Sequence, residues 1–122
     1  MKLNLLSKDE EALSFFSADR SLVSAMVERI AVSNENGVLI VDITVHLLYS
    51  KSNKNFVIRM VDVVEFSFYH NREHYFYNIT NLKFFMEGTC FYISLDPDET
   101  FEGKTNGDND FVLSKGIEVY PV

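Results

Sequence analysis

This chain of 122 residues contains one cysteine, no tryptophan, two prolines and five glycines. Because Cys90 is the only cysteine, no disulfide can form within the chain, which is typical of a reducing compartment. The glycines are scattered singly, so the sequence offers no glycine-rich loop that could cradle a phosphate. No apolar run approaches the roughly 20 residues of a membrane-spanning helix. The sequence therefore predicts neither a disulfide scaffold nor a transmembrane protein.

Positive charge is also scarce, with 11 Lys and Arg against 18 Asp and Glu and a formal net charge of −7. Nucleic acids and anionic membrane surfaces both require a basic patch on the protein that binds them. The sequence therefore argues against both as partners. Its N-terminal segment turns acidic after a short apolar stretch, unlike a secretory signal, and a cytoplasmic location is expected.

The length fits one domain, residues 1–122. Ser7 and Glu10 match a capping box, and the apolar residues that follow predict a helix over 8–17. A helix this short is marginal alone, so Phe15 and Phe16 are expected to dock it on a sheet.

Most of the chain has the alternating pattern of β-strands. Strands are predicted at 22–33, 38–49, 56–70, 74–79, 82–87, 90–95 and 111–120, the last interrupted near Gly116. Asn36-Gly37 predicts a tight hairpin turn, and Asp62 predicts a bulge or bend. The fold class that follows is a β-rich α+β domain with an antiparallel meander and a short N-terminal helix. A curved sheet, a sandwich and a partly open barrel are all compatible with this pattern.

Charge is concentrated in residues 96–110, called the acidic loop below. It holds six carboxylates and one lysine, so its local net charge is 1 − 6 = −5. Such a loop can steer a basic protein partner or bind a cation. The spacing does not match an EF-hand that starts at Asp96 or at Asn106, because neither start places glycine at the sixth position, but a calcium site of another kind stays an alternative. The predicted partner-binding carboxylates are Asp96, Asp98, Glu99, Glu102, Asp108 and Asp110.

A second candidate surface is an aromatic hairpin around residues 66–77. Large rings fall on both of its faces, whereas a sheet with one wet face needs them on one face only. Tyr69, Tyr75 and Tyr77 are therefore predicted to bind a partner, with core packing as the other interpretation. A homodimer would use the same surface.

The segment from His70 to His74 matches the H-x-x-E-H zinc-peptidase pattern, with Glu73 as the catalytic glutamate. Its flanks alternate as β-strands do, whereas the zinc chemistry needs both histidines on one helical face. The match therefore predicts a hairpin tip. Cys90 opens an apolar strand and is expected to act as a small hydrophobe. The expectation is a protein with no catalytic residues, no metal and no cofactor.

The C-terminal third resembles small acidic bacterial proteins. The residues that carry the resemblance are a tyrosine-containing strand ending in Leu95-Asp96-Pro97, an acidic loop, and an Asp108-Asn109-Asp110 turn into the last strand. Some such proteins are similar to the immunity proteins of bacterial toxin systems. The resemblance implies a bacterial, non-enzymatic interaction protein, and a basic toxin as its partner. The alternative function is a small-molecule-binding or calcium-binding β module.

Overall fold

The computed structural model of the protein describes residues 4–51, 54–73 and 78–122. The strands form one antiparallel sheet of seven, which is not closed into a barrel, beside one short α-helix. The predicted β-rich fold is thereby confirmed. In chain order the elements are β1 (Ser7–Lys8), α1 (Glu10–Phe15), a 3-10 helix (Ala18–Arg20), β2 (Met26–Glu35), β3 (Val38–His46), β4 (Asn55–Ser67), β5 (Lys83–Glu87), β6 (Cys90–Asp96) and β7 (Asn109–Pro121).

The strand order is β2-β3-β4-β7-β6-β5, and β1 pairs with the second half of β7. Two three-stranded meanders, β2 to β4 and β5 to β7, are thus joined side by side through β4 and β7. Their pairing runs from Phe56 opposite Pro121 to Ser67 opposite Phe111. The last strand in sequence therefore lies inside the sheet, which a simple meander would not give.

The core lies on one face of the sheet and is covered by α1 and the segments that follow it. The rings of Phe15 and Phe16 pack edge-on against Phe56, with centroid distances of 5.4 and 5.9 Å. This confirms that the two residues dock the helix on the sheet. The fully buried core side chains of the strands include Val41, Ile43, Val45, Ile58, Met60, Ile93, Val112, Ile117 and Val119.

The opposite face carries a polar network across three strands. Asp42, Arg59 and Glu118 lie directly opposite one another on β3, β4 and β7. Arg59 donates to both carboxylate oxygens of Asp42, from Nε at 2.9 Å and Nη2 at 3.1 Å. This bidentate geometry pairs two half-buried charges, and each charge offsets the cost of burying the other.

The N-terminal helix begins later and ends earlier than the predicted 8–17. Ser7 belongs to β1 and pairs with Val119, so the capping box does not form. Asp9 precedes the helix, but its Oδ1 accepts from the backbone N of Ile117 at 3.0 Å. Because Ser7 pairs with β7, it is not available to cap the helix.

Two predicted backbone features are confirmed. Asn36 and Gly37 have φ angles of 55° and 85°, as a tight hairpin turn requires. Asp62 has a φ of 59°, and the register of β4 against β7 shifts just beyond it, between Val63 and Glu65.

The predicted interruption at Gly116 is wrong, because β7 runs through it. The glycine serves close packing instead, since a Cβ there would lie 3.2 Å from Oδ1 of Asp9.

Candidate functional site

One end of the sheet brings together the acidic loop and the segment after β4. At this end Ser67 lies opposite Phe111, and Asp96 lies opposite Asn109, so the chain leaves β4 and β6 at the same end of the sheet, on either side of β7. The backbone N of Tyr69 donates to Oδ1 of Asp110 at 3.0 Å. Tyr69 and the acidic loop, about 40 residues apart in sequence, are therefore neighbours. Together, residues 68–70 and 96–110 are called the acidic end below.

Asp108 ties the acidic loop to the sheet. Its Oδ1 accepts from Lys83 Nζ at 2.8 Å and from the backbone N of Asp98 at 2.9 Å. Its Oδ2 accepts from the Tyr92 hydroxyl at 2.5 Å and from the backbone N of Thr105 at 3.1 Å. Four donors on two oxygens use the acceptor capacity of the carboxylate. Lys83, Tyr92 and Asp108 are called the Asp108 cluster below.

The Asp108 cluster is buried, with side-chain exposures of 7% for Lys83 and 0% for Asp108. Lys83 Nζ also donates to the carbonyl of Gly103 at 2.7 Å. Burial would raise the pKa of Asp108, but hydrogen bonds from Lys83, Tyr92 and the backbone outweigh it and hold that pKa below its ordinary value. Burial, aided by the hydrogen bond to Asp108, raises the pKa of Tyr92 far above its ordinary value. At neutral pH Asp108 is thus a carboxylate, and the Tyr92 hydroxyl that donates to it is neutral.

The lowered pKa of Asp108 makes a prediction for acid stability. A carboxyl whose pKa is lower in the folded state stabilises the fold above its unfolded pKa, and this contribution is lost as the pH falls through the folded pKa. We expect the wild type to exceed Asp108→Asn in unfolding free energy by a constant amount above about pH 5, and by less below it. Urea unfolding of both proteins across this range measures the difference. A difference in unfolding free energy that grows as the pH falls would contradict the lowered pKa of Asp108.

The six predicted carboxylates of the acidic loop divide into three groups. Asp108 and Asp110 are 5% and 2% exposed and accept internal hydrogen bonds, so they are not part of a partner-facing surface. Asp96 and Asp98 are half-buried, and only Glu99 and Glu102 are exposed. The prediction was wrong for Asp108 and Asp110 because a carboxylate in a polar loop can also point into the protein and accept hydrogen bonds from buried donors.

Phe101 also belongs to the acidic end, although it is not among the predicted partner-binding residues. It lies between Glu99 and Glu102, and it is 58% exposed. An apolar ring in an otherwise polar loop was the available signal. Tyr69 is 65% exposed, as a partner-binding residue would be. The predicted Tyr75 and Tyr77 lie outside the described residues.

A concave surface adjoins Tyr69. It is a groove of about 450 Å³ lined by residues 27–30 of β2, residues 68–70 and Asp110. Val27, Ile30 and Phe68 are the aliphatic and phenyl side chains among its lining residues. The acidic end therefore combines exposed rings, a hollow and carboxylates.

The structure gives no metal site among the residues it describes. Within them, no three His, Cys, Asp or Glu side chains are grouped as metal ligands would be. His70 and Glu73 are exposed and lie outside any helix, and the His74 of the zinc pattern falls outside the described residues. Calcium would have to displace Lys83 from Asp108, since both oxygens of that carboxylate already accept hydrogen bonds.

Comparisons of the chain with protein-family models, curated proteins and solved structures find no match. In the part of the chain that the structure describes, no helix is long and apolar enough to cross a membrane.

Proposed function

We propose that this protein is a non-enzymatic interaction protein whose acidic end binds a basic protein partner. The observation that carries the proposal is the 3.0 Å hydrogen bond from Tyr69 to Asp110, which joins an exposed aromatic segment to the acidic loop. Its most specific form is an immunity-type inhibitor of a basic toxin in the bacterial cytoplasm. That form is supported by the resemblance of residues 91–99 and 108–117 to small acidic bacterial proteins, some of which are similar to immunity proteins.

The chemistry of this end suits protein binding. Exposed carboxylates raise the rate of encounter with a basic surface and select against acidic ones. Exposed aromatic rings supply large contact area at low entropic cost, and such residues dominate binding energy at interfaces. Glu99 and Glu102 supply the first property, and Phe101 and Tyr69 supply the second.

Removing the exposed charge tests the proposal. We expect a Glu99→Gln, Glu102→Gln variant to capture about tenfold less of its basic partner than the wild type from source-organism lysate at low salt. The difference should shrink at high salt, where charges beyond a few ångströms are screened. Immobilised wild type and variant are compared by quantitative mass spectrometry of the proteins retained.

The matched control is Asp19→Asn with Glu87→Gln, which removes the same charge from two exposed positions outside the acidic end. If both double variants capture less partner by the same factor, the effect comes from the overall charge of the protein and not from the acidic loop. Unchanged capture by the Glu99 and Glu102 variant at low salt would refute a steering role for the acidic loop.

A further inference from the structure

The acidic loop is held by hydrogen bonds and close contacts although residues 97–108 belong to no helix or strand. Asp98 accepts at Oδ1 from the backbone N and the hydroxyl of Thr100, at 2.9 and 2.6 Å. Gly107 lies so close that a Cβ there would be 2.7 Å from Oδ2 of Asp98. The ring of Phe101 covers Gly103, whose Cβ position is 3.2 Å from that ring. The loop is thus packed on itself as well as on the sheet.

The contacts that hold the loop converge on one carboxylate. Asp108 receives the backbone N–H groups of Asp98 and Thr105, one near each end of the loop. It also anchors Lys83, which in turn holds the carbonyl of Gly103 in the middle of the loop. Removing the carboxylate therefore releases the loop at three separated points.

We propose that Asp108 is the positioning residue of the acidic loop and holds it in its partner-binding conformation before any partner arrives. This inference rests on the proposed function. The Asp108 side chain is 0% exposed, so it acts on binding only through the residues it holds. Phe101, Glu99 and Glu102 are the residues it presents.

Preordering has a direct consequence for affinity. A loop that orders only on binding loses backbone and side-chain freedom at that moment, and this cost is subtracted from the interaction energy. A loop ordered in advance has already met that cost during folding. The partner that fits it presents a preformed apolar pocket for Phe101, bordered by Lys or Arg side chains that meet Glu99 and Glu102.

The first measurement needs no partner. In Asp108→Asn, amide hydrogen exchange of Asp98 and Thr105 is expected to accelerate about tenfold or more relative to the wild type, because the neutral amide offers one acceptor oxygen in place of two and no longer pairs with Lys83 as a charge. Amides of β3 should change far less. Ile58→Val is the control, since it weakens the core beneath the sheet without touching the loop.

The second measurement separates positioning from steering. We expect Asp108→Asn to lose capture of the basic partner about tenfold at both about 20 mM and about 500 mM salt, because salt does not restore a lost loop shape. The Glu99→Gln, Glu102→Gln variant should lose capture at the lower salt only. Ile58→Val should capture as the wild type does.

Two results would overturn the inference. The first is an exchange result: the ratio of loop exchange to β3 exchange is no higher in Asp108→Asn than in Ile58→Val. The other is capture by Asp108→Asn equal to that of the wild type at both salt concentrations. If the wild type retains no partner in a charge-dependent way, the proposed function fails and the binding role of Asp108 fails with it. The exchange measurement then decides separately whether Asp108 holds the loop.

Discussion

Replacement of Lys83 by methionine is expected to lower the free energy of unfolding at pH 7 by about 3–5 kcal/mol. Asp108 would remain as a carboxylate with no exposed side-chain surface and no counter-ion, and the carbonyl of Gly103 would lose its donor. Methionine has nearly the length of lysine, so the loss reports the charge and its hydrogen bonds rather than a cavity. Urea denaturation followed by far-ultraviolet circular dichroism measures it.

Lys115→Met is the matched control, because Lys115 is exposed on β7. Its unfolding free energy should stay within about 0.5 kcal/mol of the wild type. Adding Asp108→Asn to Lys83→Met should recover part of the loss, since the buried charge that lacked a partner is then gone. If the double variant loses as much unfolding free energy as the two single variants together, Lys83 and Asp108 are not coupled.

Phe56→Ala should lower the free energy of unfolding by about 3–5 kcal/mol. The Phe56 ring is 3% exposed and contacts both aromatic residues of the helix end, so its removal leaves a cavity and withdraws the surface on which α1 rests. Amide exchange of the α1 residues should accelerate more than that of β6. The stability is measured by urea unfolding, and exchange by mass spectrometry.

Phe101→Ala makes the same chemical change at a ring that is 58% exposed. Its effect on stability should stay within about 0.5 kcal/mol. A loss at Phe101 as large as that at Phe56 would mean that the acidic loop supports the fold and is not a surface feature. A small loss at Phe56 would mean that the helix docks through other contacts.

The strands could be predicted from sequence because their pattern is local. From residue 41 to residue 46 of β3, the buried residues 41, 43 and 45 alternate with the half-buried residues 42, 44 and 46, as the sequence pattern predicts. Asn36-Gly37 specifies its turn in two residues, through the positive φ angles that both adopt. Such signals require no knowledge of what packs against the strand.

The Asp108 cluster could not be predicted in this way. Lys83 and Asp108 are 25 residues apart, and nothing in the sequence around either residue indicates that it is buried. From the charge of the loop, Asp108 was predicted to be one of six partner-binding carboxylates. The displaced capping box has the same cause, because the pairing of Ser7 with Val119 joins the two ends of the sequence. Long-range pairing overrides local preference at both places.

The position of β7 bears on how the protein is made. In the sheet, the meander of β2, β3 and β4 and the hairpin of β5 and β6 are joined through residues 109–121, which are synthesised after both. On the ribosome these pieces must therefore wait, with apolar faces uncovered, until that stretch leaves the exit tunnel. The Asp108 cluster, the acidic loop and the seating of β1 all form in that late step. A nascent chain stalled before residue 109 should thus depend on chaperones, and its completed counterpart should not.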